Sequence, residues 1–264
     1  MDARLLHVSD LHVGTHEERE VEQALARLVE RLEPQLVVAS GDLSHRGRRE
    51  QLERAAELLR SLGPPVLAVP GNHDLPHTPA RFVRPWAEFE RIWETTEPTA
   101  SPPGLHVVGL NSARPFRYQG GALSRAQLDR AAERLGTAEA AALRVAVLHH
   151  HLIGAPWRAA HKRAVSARNR VLHALVDAGA DLILAGHIHQ AAVSERHEFE
   201  VVGDEARTTV VAIAPGLGRP RPRRLGEARG LHLHEADGDA IVVRTFLWSR
   251  GDWRLAAERR FVRS

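Results

Sequence analysis

Five times within the first 190 residues, a short apolar run ends abruptly in side chains that bind protons or metals. Leu5 to Val8 ends in Asp10-Leu11-His12, Leu36 to Ala39 in Gly41-Asp42, and Val66 to Val69 in Gly71-Asn72-His73-Asp74. Val145 to Leu148 ends in His149-His150-His151, and Asp181 to Leu184 in Gly186-His187-Ile188-His189. Short continuous runs of this kind read as buried strands. Between them lie stretches with helical spacing: 17–32, where Val21, Leu25, Leu28 and Leu32 share a face; 49–62, closed by Gly63 and Pro64; 80–93; 124–135, opening on a serine N-cap; and 168–178. A further strand is expected at Leu105 to Leu110. Strands alternating with helices predict an α/β sheet, and in such sheets the carboxyl ends of the strands share one edge, where ligands collect. The five motifs are therefore expected at a common edge.

From Ala191 onward the pattern changes to strands without helices: Val193 to Val202, Arg207 to Ala214, Gly230 to Glu235 and Ala240 to Trp248, with Asp237-Gly238 as a hairpin signal. These strands either extend a second sheet in the same domain or form a small separate one. The first arrangement is the expectation: one domain over 1–264, with a metal-binding α/β part to about residue 190 and a β-rich part from about 191. The stretch from Gly216 to Arg224, rich in Gly, Pro and Arg, reads as a solvated loop, with a substrate contact as the alternative.

Composition excludes several classes. There is no cysteine, so disulfides and thiolate metal sites are ruled out, and any metal must be held by His, Asp, Glu, Asn or water. The absence of cysteine fits a reducing compartment. No run approaches the ~20 apolar residues of a membrane span, and the first residues enter a strand directly, without a leader pattern. A cytoplasmic protein with no membrane association is expected. The 36 basic residues, of which only Lys162 is lysine, are nearly balanced by 33 acidic ones, so no phosphate-binding stripe for nucleic acid is indicated. Nothing fixes the oligomeric state.

The donor types in the five motifs are mutually consistent. Carboxylates can bridge two cations, imidazoles suit borderline transition metals, and an Asn amide oxygen adds a neutral hard donor. Gly41, Gly71 and Gly186 precede donors at sharp turns, where positive φ or close backbone approach is expected. Taken singly, each motif is as well explained by a polar turn. Together, in this order and each time after a strand, they point to a pair of metals able to clamp a phosphoryl group.

The ordered set D-x-H, G-D, G-N-H-D, H and G-H-x-H, spanning residues 10 to 189, resembles the calcineurin-like metallophosphoesterases. The resemblance implies a four-layer α-β-β-α sandwich of two stacked mixed sheets with outer helices. It implies two divalent cations (Mn, Fe or Zn, identical or mixed), the first held by Asp10, His12, Asp42 and His189. Asp42 would bridge to the second, completed by Asn72, His187 and His149, with His150 as the alternative histidine. A hydroxide between the cations would attack phosphorus, and His73 would stabilise the developing charge or protonate the leaving alkoxide. Arg46 matches the family's R-G and is a candidate phosphate contact, with His45 and His150 as further substrate contacts; a solvated Arg46 is the alternative, and for His150 the alternative is a place supporting the ligands. The family's phosphatases carry an Asp where this chain has His45, so what orients His73 is left open. Within the superfamily the chain looks most like compact bacterial phosphodiesterases of cyclic nucleotides or other small diesters. A DNA-processing nuclease is the rival reading, and an inactive scaffold a third. Trp157, Arg158, His161 and Lys162 could line the substrate site or simply pack and be solvated.

Overall fold

The computed structural model describes residues 3–15, 18–153, 162–197, 208–219 and 227–263. The strands are β1 (Ala3–Val8), β2 (Leu36–Ala39), β3 (Val66–Ala68), β4 (Thr99–Ala100), β5 (Leu105–Gly109), β6 (Leu143–Val147), β7 (Leu182–Ala185), β8 (Ala192–His197), β9 (Thr208–Ile213), β10 (Gly230–Asp237), β11 (Ala240–Ser249) and β12 (Asp252–Val262). The helices are α1 (Arg19–Leu32), α2 (Arg49–Arg60), α3 (Ala80–Val83), α4 (Ala87–Trp93), α5 (Arg125–Gly136) and α6 (Arg168–Asp177). One sheet runs β12-β11-β10-β1-β2-β3 and the other β4-β5-β6-β7-β9-β8. In each, parallel strands (β1-β2-β3; β5-β6-β7-β9) are extended by antiparallel neighbours.

Alternation within the strands builds the layers. In β2, Leu36 and Val38 face the second sheet and pack with Val145, Val147, Leu182 and Leu184, whereas Val37 and Ala39 face α1 and α2 with Leu25, Leu28, Leu52 and Leu59. On the far side Ala146, Leu148 and Ile183 pack with Leu128 and Leu135 of α5 and Val171 and Leu175 of α6. Strands buried on both faces read as unbroken apolar runs, which is why the period-2 signal is missing from them. The result is the four-layer sandwich with outer helices. Each fully buried Leu or Val in the central layer contributes roughly 1.5–3 kcal/mol of transfer free energy.

Three expectations are corrected. The helix expected over 80–93 is broken into α3 and α4: Pro85 lacks an N–H and biases the preceding residue out of the helical region, and Arg84 has φ −139°, ψ 64°. β12 was not anticipated, because most of its residues are exposed and it lacks apolar alternation. It is specified instead by the turn before it. Arg250 (φ 52°) and Gly251 (φ 76°) form a two-residue loop with both residues left-handed, as a type I′ hairpin requires, and Ser249 pairs with Asp252. The short edge strand β4 was also missed. The Asp237-Gly238 signal does lead into a hairpin, with Gly238 and Asp239 between the paired Asp237 and Ala240. The C-terminal strands join both sheets: β10 pairs with β1, and β9 with β7. The far ends of the strands expected over 193–202 and 207–214, and most of the 216–224 loop, lie outside the described residues. Among the described residues no helix is long and apolar enough to cross a membrane.

Candidate metal centre

The loops leaving β1, β2, β3, β6 and β7 converge. Asp10 (φ 53°), His12 (φ 49°), Asp42 (φ 52°), His187 (φ 72°) and His189 (φ 57°) all adopt left-handed backbone, where a non-glycine residue costs on the order of 1–2 kcal/mol. Loop-to-loop hydrogen bonds hold them there: Asp10 N–H to Gly41 O (2.9 Å), His12 N–H to Asp42 O (3.0 Å) and Gly186 N–H to His149 O (2.9 Å). Glycine is required at two of the crossings. A Cβ on Gly71 would overlap the Asp42 carboxylate, and one on Gly186 would overlap the Ser9 hydroxyl.

Two groups of donors result. Asp10, His12 and His189 bring one ligand atom each within 4.8 Å of one another, and so do Asp10, Asp42 and His149. Asp10 belongs to both, and Asp42 of the second also approaches the first, with Oδ2 3.8 Å from His12 Nε2 and Oδ1 3.4 Å from His149 Nε2. His149 in turn meets His187 (Nε2 to Nδ1, 3.2 Å), and His12 meets His189 (Nε2 to Nε2, 3.2 Å). Asn72 is buried, 4% exposed, beside His73. The sequence separation closed by the His12–His189 contact is 177 residues.

The electrostatics call for positive charge. Burial pushes the Asp10 carboxyl up, but His189, by charge and hydrogen bond, and His149 outweigh it and hold the group well below the carboxylate range. Asp42 is likewise opposed by burial and held low by His149, His73 and His12. Burial alone would lower His149, yet the Asp42 charge and hydrogen bond raise it to about 9. Without a cation, the His149 proton is the counter-charge to two buried carboxylates. Burial and neighbouring imidazoles keep His187 and His150 low, and burial also keeps His12 low. Two imidazole nitrogens facing each other at 3.2 Å need a proton or a cation between them. Asp42 Oδ2, Asn72 Oδ1 and His187 Nε2 are buried with no hydrogen-bond partner, and Asp10 Oδ1 has His189 Nε2 at 3.0 Å. Together these donors fit divalent cations of mixed nitrogen and oxygen preference.

Residues just outside the donors hold them. His149 Nδ1–H donates to Ser40 O (2.8 Å), which turns Nε2 toward Asp42. Asp10 Oδ2 accepts from the Ser9 hydroxyl (2.7 Å) and from His187 N–H (2.9 Å). His73 N–H donates to Asp42 Oδ1 (2.8 Å), and its Nδ1–H donates to the His45 carbonyl (2.9 Å). The orienting group left open in the sequence is thus a backbone oxygen. Asp74 ties the loops together by accepting from Gly71 N–H (2.9 Å), Ser44 N–H (2.8 Å) and the Ser44 hydroxyl (2.9 Å); burial, then the Asp42 charge, raises it to about 6. Sequence reasoning gave Ser9, Ser40, Asp74 and Ser112 no role; only the adjacency of Ser9 and Asp74 to motif donors was a signal.

The expected substrate contacts divide. Arg46 is exposed and His45 half-buried beside His73, with ring centroids 5.7 Å apart. His150 is fully buried, with Nδ1 at 2.9 Å from the Ser112 hydroxyl, and one of its ring nitrogens lies within 4.8 Å of ligand atoms of His149 and His187. His151 is buried too. Lys162 is buried on the His150 side; Trp157, Arg158 and His161 lie outside the described residues.

Comparison with known proteins agrees with this geometry. A family model, calcineurin-like phosphoesterase, matches residues 3–191. A probable cyclic nucleotide phosphodiesterase of Synechococcus is 32% identical over 174 residues, 62% of this chain and 61% of the relative; the match thus spans less than two thirds of that protein. The 3′,5′-cyclic adenosine monophosphate phosphodiesterase of Haemophilus influenzae is 26% identical over 224 residues, 77% of this chain and 76% of the relative. Among solved structures, a dimetal phosphatase from Danio rerio superposes with TM-score 0.66 at 15% identity, covering 99% of both chains. A purple acid phosphatase from yellow lupin superposes with TM-score 0.74 at 12% identity, covering all of this chain and 54% of that one. At such identities the superpositions speak for the fold alone. With the five motifs inside the matched span and their donors gathered where strand ends of both sheets meet, not at the edge of a single sheet as expected, the chain belongs to the calcineurin-like phosphoesterase family.

Proposed function

We propose that this protein hydrolyses a small phosphodiester, a cyclic nucleotide being the favoured substrate, with two divalent cations (Mn, Fe or Zn). Asp10, His12, Asp42 and His189 would hold one cation, and Asp42, Asn72, His149 and His187 the other. When bound, such a pair neutralises the phosphoryl oxygens and lowers the pKa of water so that no protein nucleophile is needed. The observation that supports the reading is the approach of one Asp42 carboxylate oxygen to His12 (3.8 Å) and of the other to His149 (3.4 Å).

The chain's own groups do the rest. His73 is the half-buried imidazole at the rim, with Nδ1–H committed to the His45 carbonyl, so Nε2 is the atom that exchanges a proton. As the P–O bond to the leaving group breaks, His73 Nε2–H supplies the proton that the departing alkoxide takes up. Arg46, exposed beside His45, would meet a phosphoryl oxygen of the substrate. The names of the two curated relatives support the choice of a cyclic nucleotide.

Asp42→Ala tests the reading. Metal content of the purified protein and hydrolysis of bis(p-nitrophenyl) phosphate with Mn²⁺ should both collapse. Wild-type occupancy together with wild-type turnover in that variant would end the shared-ligand proposal.

A further inference from the structure

Two segments frame the metal centre, and both are unusual for a chain of balanced charge. Residues 75–86 follow the Gly71 to Asp74 motif, and residues 112–124 follow β5. Together they carry four arginines (Arg81, Arg84, Arg114, Arg117) and no carboxylate. They also hold four of the six large apolar side chains that are exposed among the described residues: Phe82 (49%), Val83, Phe116 (80%) and Tyr118. The other two, Leu255 and Val262, lie on β12.

The exposed rings are held in place. Arg81 is 2% exposed; its Nε–H donates to Pro115 O (2.6 Å), Nη2–H to Arg117 O (3.3 Å), and its guanidinium sits 4.5 Å from the Tyr118 ring centroid. A buried arginine thus clasps one segment to the other. Across this clasp Phe82 and Phe116 lie with centroids 5.1 Å apart at 32°. Two large rings kept at the surface by a buried cation cost solvation without filling the core. The platform is continuous with the site at both roots. His77, at the start of the Arg81 segment, has its ring 6.1 Å from that of His73, and Ser112, at the root of the Phe116 segment, bonds His150.

We infer that Phe82 and Phe116 form a stacking platform for the aromatic base of a nucleotide whose phosphate occupies the metal centre. The inference rests on the phosphodiesterase reading for the second half of that sentence only. A planar π-face suits the rings, and the cationic, carboxylate-free rim suits an anionic ligand over a second protein surface of mixed charge.

Calorimetric titration of adenosine 5′-monophosphate and of ribose 5-phosphate into the Mn²⁺-loaded protein tests it. Stacking on an aromatic is worth enough that the base should tighten binding about 5- to 100-fold. That gap should shrink to near unity in Phe116→Ala, persist in Phe116→Trp, and be untouched by Leu255→Ala, which removes another exposed apolar group, on β12. No gap in the wild type, or the same gap in Phe116→Ala, overturns the platform. A single-stranded oligonucleotide binding much more tightly than the mononucleotide also overturns it, in favour of a nucleic-acid partner. If the gap behaves as expected but no phosphodiester is hydrolysed, the platform stands and the enzymatic reading fails.

Discussion

Two groups of histidines sit within the same sandwich and behave as opposites. His12, His149, His187 and His189 lie just past strand ends, three of them together with the Asp10 and Asp42 carboxylates. His7, His232 and His234 lie inside strands β1 and β10, fully buried between the sheets, with ring centroids 5.7–6.1 Å apart. The second group has hydroxyl and carbonyl neighbours: Ser40 Oγ at 2.8 Å from His7 Nε2, Thr245 Oγ1 at 3.0 Å from His232 Nδ1 and Ile213 O at 3.0 Å from His232 Nε2. Both nitrogens of His234 lack a hydrogen-bond partner. Burial lowers all three, His232 to about 4, whereas His149 is raised to about 9 by Asp42. What makes a buried histidine a candidate metal donor is therefore a carboxylate and a strand-end turn beside it, not burial or the company of other histidines.

The largest effect expected is beside the first group, at His73. His73→Ala should slow turnover by 10²–10⁴-fold while metal content stays near wild type. The slowing should be smallest for esters whose leaving group is already acidic; equal slowing across leaving groups would argue against proton delivery by His73. His7, His232 and His234 variants should show no such dependence on leaving group.

The next effect separates the groups by pH in metal-free protein. His232 has a folded pKa below its unfolded value near 6.5, so the unfolded chain binds the extra proton and stability falls as pH drops from about 6.5 to about 4. His149 has the reverse sign: its contribution is complete below about 6.5 and is lost as pH rises through about 9. Each limb is worth on the order of 3 kcal/mol. Asp74, raised to about 6, offsets part of the acid limb, because its stabilisation grows as pH falls from about 6 toward 4. Urea midpoints measured from pH 4 to 10 should show both limbs. His234→Leu should flatten the acid limb, and Mn²⁺ should erase the alkaline one, since ligation requires the deprotonated imidazole. An alkaline limb unaffected by Mn²⁺ would mean that His149 is not a ligand.

The smallest effect concerns the supports. Ser9→Ala removes a hydroxyl donor to Asp10 and should weaken metal affinity or activity by about 10–100-fold, as outer contacts of metal ligands do. Thr245→Val, which removes the matching contact to His232, should leave metal affinity unchanged; equal losses from the two variants would erase the distinction between the groups.

Much of the fold and the site was legible beforehand, and the exceptions have specific causes. The doubly buried strands, α1, α2, α5 and α6 followed from periodicity. β12 did not, because its pairing is set by a two-residue left-handed turn and a long partner strand, not by its own apolar pattern. The break at Pro85 was present in the sequence but was overridden by an apparently continuous helical spacing. The seven proposed donors were named from their motifs.

What the chain alone determined is local: which runs are strands, which turns follow them, and which donor types stand at those turns, since strand periodicity and turn chemistry are written within some ten residues. Only the tertiary structure decided that donors as much as 177 residues apart meet, that backbone carbonyls of Ser40 and His45 aim His149 and His73, and that the histidines past the strand ends differ chemically from those inside β1 and β10. The physical reason is that a backbone oxygen has no sequence signature. Whether a buried imidazole gains a carboxylate is settled by which strands pack together, a matter of summed burial over the whole sandwich and not of any one motif.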